Sequence, residues 1–109
     1  MGERIFLLYV TFPDHGTAEA TVRIAVERRL VACGNLLPGV RSIYRWKGAI
    51  KTADEVLVLF KTTEENLTAA RQCILDAHPY EVPEIVATPI VEGSPAYLDW
   101  VRESCRPAG

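Results

Sequence analysis

The sequence predicts an α+β sandwich whose elements run β-α-β-β-α-β, closed by a C-terminal helix. Three observations carry that expectation. The runs Ile5-Phe6-Leu7-Leu8-Tyr9-Val10 and Val56-Leu57-Val58-Leu59-Phe60 are apolar without a break, as expected of strands at the centre of a covered sheet. Apolar residues at helical spacing follow each of them. The last strand-like run contains Pro89, which deletes a ladder donor and marks an edge strand.

The elements follow in order. A first strand covers residues 4–12 and ends at Pro13-Asp14. Asp14 is a helix N-cap, and Ala18, Val22, Ala25 and Val26 form the apolar stripe of a helix running to about Leu30. A second strand starts near Val31, breaks at Leu37-Pro38-Gly39 and resumes over 40–46, with Val40, Ser42, Tyr44 and Trp46 on one face. Lys47-Gly48 makes a tight turn, although Lys-Gly is a weaker hairpin signal than Asn-Gly. The chain returns through Ile50 and Lys51 into the second apolar strand.

Thr63 before Glu64 and Glu65 reads as the start of a second helix, with acid near the positive end of the dipole. That helix stops before His78-Pro79. Residues 84–91 form the last strand, Ser94-Pro95 opens the last helix, and 106–109 are a loose tail. Right-handed crossovers then place the strands in the order 4-1-3-2, a ferredoxin-like arrangement. The hairpin over 40–54 is longer than its neighbours require and carries Ile43, Tyr44 and Trp46 away from the core. Aromatics on an extended edge favour self-association.

All 109 residues fit one domain, with 49% hydrophobic and 24% charged residues, so the chain is globular and not disordered. No apolar run reaches the roughly 18 residues that span a bilayer, and no signal or transit peptide is visible, so no membrane partner and a cytoplasmic location are expected. Twelve Lys and Arg against fourteen Asp and Glu give a net charge of −2. That balance disfavours a nucleic-acid partner, although Arg41, Arg45, Lys47 and Lys51 lie close together. The third strand also lacks the basic-glycine-aromatic signature of an RNA-binding sheet, and Phe60 reads as core. Cys33, Cys73 and Cys105 are widely spaced without a CxxC, which indicates neither a disulfide framework nor structural zinc.

No organic cofactor and no enzymatic activity are indicated: GxSxG, GxGxxG, Walker and HExxH motifs are missing from the sequence. The most unusual stretch is His78-Pro79-Tyr80-Glu81-Val82-Pro83-Glu84. Its two prolines stiffen the chain around Tyr80, giving either a rigid connector or a binding loop that presents His78, Tyr80, Glu81 and Glu84. For a metal such as copper, imidazole and thiolate are suitable donors, and the candidates are His15, His78, Cys33 and Cys73, no two of them at i, i+4 or CxxC spacing. The alternative is a solvated helix start for His15, a rigid connector for His78 and packing for the two cysteines.

Several segments together resemble the CutA family of divalent-cation tolerance proteins: Leu30-Val31-Ala32-Cys33, Ser42-Ile43-Tyr44-Arg45-Trp46-Lys47-Gly48, Lys61-Thr62-Thr63, His78-Pro79-Tyr80-Glu81-Val82-Pro83-Glu84-Ile85 and Tyr97-Leu98-Asp99-Trp100. The resemblance implies a homotrimer whose long hairpins pair across subunits. It places Tyr44 and Trp46 on an intersubunit surface, and Tyr80, with Glu81 and Glu84, near the clefts between subunits. It also implies a response to metal ions, with weak binding of copper(II) or another divalent cation. Val10 stands where some members carry a first-strand cysteine, and Ala77 precedes His78 where some carry a second histidine. The trimers look like PII signalling proteins, so a small metabolite bound in the intersubunit cleft is the alternative.

Overall fold

The computed structural model describes residues 2–107; Met1, Ala108 and Gly109, the last two in the expected tail, lie outside the described residues. The elements are β1 (Ile5–Phe12), α1 (His15–Glu27), β2 (Cys33–Trp46), β3 (Ala49–Thr63), α2 (Leu67–Ala77), β4 (Ile85–Ile90) and α3 (Pro95–Ser104). They build one antiparallel sheet in the order β2-β3-β1-β4. This is the 4-1-3-2 order expected from the two apolar runs, with β1 and β3 central.

Alternation along the central strands divides the core. Leu8, Val10 and Phe12 of β1, with Val56, Val58 and Phe60 of β3, are buried together with Ala18 and Ala25 of α1 and Ala70 and Ile74 of α2. On the opposite face α3 packs Val101 and the following Cys105 against Ile5 and Ala32. The rest of that second face is uncovered within the chain. Register places Leu7, Tyr9, Leu57, Leu59, Leu37 and Val86 there side by side. The first four are half-buried, and Leu37 and Val86 are exposed.

Helix boundaries depart from expectation in two places, each for a local reason. Helix α1 starts as its cap dictates, with Asp14 accepting from the Thr17 amide at 2.8 Å. It ends at Glu27, not near Leu30, because Arg29 turns into the left-handed region at φ 58°. The Leu30 amide then donates to Ala25 and the Arg29 amide to Val26, a Schellman-type stop made without the usual glycine. The expectation of a helix starting at Thr63 is corrected. Thr63 ends β3 opposite Ile5, and Glu64 donates its amide to the Arg4 carbonyl. The N-cap is Asn66, whose side chain makes no cap bond and donates instead to the Arg29 and Cys105 carbonyls.

β3 pairs with β1 only from Val56 onward, so Ala49 to Glu55 pairs with β2 alone and projects from the body. This arm gives the molecule its long dimension, 47 × 27 × 21 Å. At its tip Lys47 and Gly48 both have positive φ, 50° and 80°, the requirement of a two-residue turn that follows the strand twist. Between Leu37 and Val40 the register slips, Pro38 and Gly39 together opposing Val56. Gly39 takes φ 81° there, a β-bulge at the break read from the sequence.

Candidate functional site

The stiff loop after α2 is held by His78. This residue closes the helix in extended conformation, as the following Pro79 requires, and its ring is buried against Phe12 with centroids 4.6 Å apart. Nε2 donates to the Thr11 carbonyl at 2.7 Å, and Nδ1 accepts from the Tyr80 amide at 3.1 Å. Both ring nitrogens therefore have protein partners, Nε2 as donor and Nδ1 as acceptor.

Those bonds aim Tyr80 at β3. Its hydroxyl donates to Glu55 Oε2 at 2.7 Å. Burial is the first cause that lifts the Tyr80 phenol well above its ordinary range, followed by the hydrogen bond and the negative charge of Glu55. Glu55 is only 8% exposed and sits where the projecting arm leaves the body, opposite Val40. Ser42, Tyr44 and Trp46 continue along the arm on the same face as Glu55. The loop and this face enclose a cavity of about 780 Å³, whose walls include Tyr44, Trp46, Glu55, Tyr80, Glu81 and Glu84. Its size lies within the range of small-molecule sites. It opens on the same side of the sheet as Leu57 and Leu59, beside the uncovered apolar face.

The structure thus brings together Tyr44, Trp46, Tyr80, Glu81 and Glu84. It does not bring together His78 and Cys33. Cys33 pairs with Lys61, and Lys61 with Leu7, whereas His78 holds Thr11. Four residues of β1, about 13 Å, separate the two levels, and β2 lies two strands away from β1. The Cys33 thiol instead contacts the Tyr97 hydroxyl on α3 at 3.4 Å, and that phenol is pushed up to about 12, by burial first and Cys33 second. Among the described residues no group of three or more His, Cys, Asp or Glu side chains could hold a metal ion. Of the basic cluster, Arg41 is paired across the arm with Asp54 at 2.9 Å.

Two residues of the cavity were not singled out by their sequence context, Glu55 and Thr11. Glu55 reads as the polar start of an apolar strand, and a carboxylate heading an otherwise apolar run was the one available signal. Thr11 carries none, since its role lies in its carbonyl.

Residues 6–104 match the family model described as CutA1 divalent ion tolerance protein. The divalent-cation tolerance protein CutA of Thermus thermophilus is 44% identical over 98 residues, 90% of this chain and 95% of that protein. Protein CutA of Mus musculus is 43% identical over 95 residues, 87% of this chain; the match spans 54% of the mouse protein. Among solved structures, CutA from Xylella fastidiosa superposes with a TM-score of 0.91 at 38% identity, covering 94% of this chain and 98% of that one. The Thermus thermophilus structure gives 0.89 at 43% identity, over 92% and 97%.

Proposed function

The chain belongs to the CutA1 divalent ion tolerance family, and from that premise we propose that it acts in tolerance of divalent cations as a cytoplasmic, non-enzymatic homotrimer that takes an effector in the cleft between the loop after α2 and the β2–β3 arm. The observation that carries this is the placement of the 780 Å³ cavity beside the uncovered sheet face. An apolar sheet face of this kind calls for a partner. A second copy docked on it would enclose the cleft, making ligand occupancy and assembly interdependent. The stoichiometry of three follows the family resemblance. All three cysteines are free thiols, which suits a reducing compartment. No helix among the described residues is long and apolar enough to cross a membrane.

A second reading, direct weak binding of copper or another divalent ion, is favoured by the exposed carboxylates Glu81 and Glu84 at the cleft. His78 contributes little to it, because a metal at either ring nitrogen would displace a bond that holds the loop. Native mass spectrometry of metal-free protein, followed by stepwise copper addition, tests both readings. Trimers that take up copper without saturation support the effector reading. Trimers with a defined number of ions support the metal reading, and monomers at micromolar concentration overturn the assembly on which both rest.

A further inference from the structure

Granting that the cleft is a ligand site, its lining restricts the charge of what it takes. The twelve lining residues include three carboxylates, Glu55, Glu81 and Glu84, and three aromatic rings, Tyr44, Trp46 and Tyr80, but no Lys, Arg or His. A phosphate or carboxylate ligand would meet the repulsion of these three carboxylates. A hydrated divalent ion would need several oxygens converging on one point, and no such group occurs among the described residues.

Glu55 sharpens the restriction. It is 8% exposed, yet its carboxylate has one hydrogen-bond partner, Tyr80 on Oε2. None of the ion pairs among the described residues involves it. A carboxylate so far withdrawn from water is costly without a counter-charge. Trp46 offers an independent indication: the chain's own Lys47 ammonium stands 5.7 Å from its ring centroid, so this ring already attracts a cation. We propose that the cleft selects a small organic cation, an amine or guanidinium compound, whose charged group pairs with Glu55 while its carbon skeleton lies against Trp46 and Tyr44. Burial and the hydrogen bond to Glu55 raise the Tyr80 phenol, so Tyr80 stays protonated and keeps donating to Glu55.

Three four-carbon probes of matched length test this on the full-length protein: 1,4-diaminobutane, succinate and 1,4-butanediol. The readout is the Trp46 indole signal and the Tyr44 and Glu81 amide signals in heteronuclear NMR, with the Trp100 indole on α3 as the internal control. Saturable shifts at Trp46 with the diamine, at least about tenfold tighter than with succinate, are expected. Glu55→Gln is expected to weaken the diamine by about tenfold or more. Trp46→Leu, outside the core and followed at the Tyr44 and Glu81 amides, serves as the second variant and is expected to lose affinity as well. Succinate or butanediol binding tighter than the diamine overturns the cation assignment and leaves the cleft as a ligand site. Diamine binding unaffected by Glu55→Gln and Trp46→Leu overturns it in the same way. No probe moving Trp46 at millimolar concentration overturns both the assignment and the cleft reading.

Discussion

The Tyr80 hydroxyl donates to Glu55 at 2.7 Å, fastening the loop between α2 and β4 to the point where the arm leaves the sheet. Two prolines stiffen the loop, His78 anchors its start, and this single bond sets its distance from β3. In Tyr80→Phe the ring remains, but Glu55 becomes a nearly buried carboxylate without its donor. A loss of about 1–3 kcal/mol is expected, read as a lower midpoint in urea at unchanged slope. An unchanged midpoint would show that water replaces the hydroxyl at no cost.

Alkaline pH should destabilise the fold through the same residue. Tyr80 in the folded chain holds its proton above the ordinary phenol value of 10.0, Tyr97 does so up to about 12, and Cys105 is raised from 9.0, chiefly by burial. Above those ordinary values the unfolded chain releases protons that the folded chain keeps. Their contribution is therefore complete below about pH 9 and declines as pH rises through 10 and beyond. The melting temperature of the wild type should fall from about pH 9 to about pH 11, and less steeply in Tyr80→Phe. Equal slopes would remove Tyr80 from the account.

His78 behaves as a keystone of the loop. Removing its ring takes away the Thr11 and Tyr80 bonds and the stacking on Phe12. His78→Ala should cost about 2–5 kcal/mol, measured by chemical denaturation, while copper uptake by the folded fraction stays near that of the wild type. A mutant of full stability that has lost copper would instead make the histidine a metal ligand.

The tip of the arm is under mild strain. Lys47 adopts φ 50°, a conformation costing an ordinary L-residue roughly 1–2 kcal/mol and asparagine less. Lys47→Asn should raise stability by about 0.5–1 kcal/mol, and a lower melting temperature would count against the turn assignment.

The uncovered face is tested by Leu59→Glu. Leu59 lies between Tyr9 and Asn35 and is only half-buried, so the single chain should keep its circular dichroism spectrum. Sedimentation at micromolar concentration should show dissociation into monomers. A trimer of unchanged mass would place the interface elsewhere.

Much of the topology was legible in the sequence because the two central strands are apolar on both faces, a pattern that depends on local composition alone. The start of α2 was not. Thr63-Glu64-Glu65 has the chemistry of a helix cap, but the sheet takes Thr63 through its pairing with Ile5, a residue 58 positions earlier. The end of α1 was hidden because Arg29 does what glycine usually does. The loop of the candidate site was legible from its prolines, and the shared face of Tyr44 and Trp46 from alternation. The roles of His78 and Glu55 depend on a carbonyl 67 residues away and a hydroxyl 25 residues away, and no local pattern encodes them.

The bulge at Pro38-Gly39 acts as a parity switch. Before it the odd-numbered residues of β2 share the face of Leu57 and Leu59; after it the even-numbered residues do. Were the same residues to run on in unbroken alternation, Tyr44 and Trp46 would turn to the other side of the arm and leave the cleft without its wall. Insertions and deletions in this arm are therefore not equivalent. Adding or removing one residue from each strand, next to the tip turn, alters length and leaves the wall where it is. Loss of Gly39 would only remove the bulge and keep Val40 opposite Glu55, whereas loss of one residue between Val40 and Tyr44 would keep the length nearly constant and invert the surface, so the arm tolerates changes of reach far better than changes of phase.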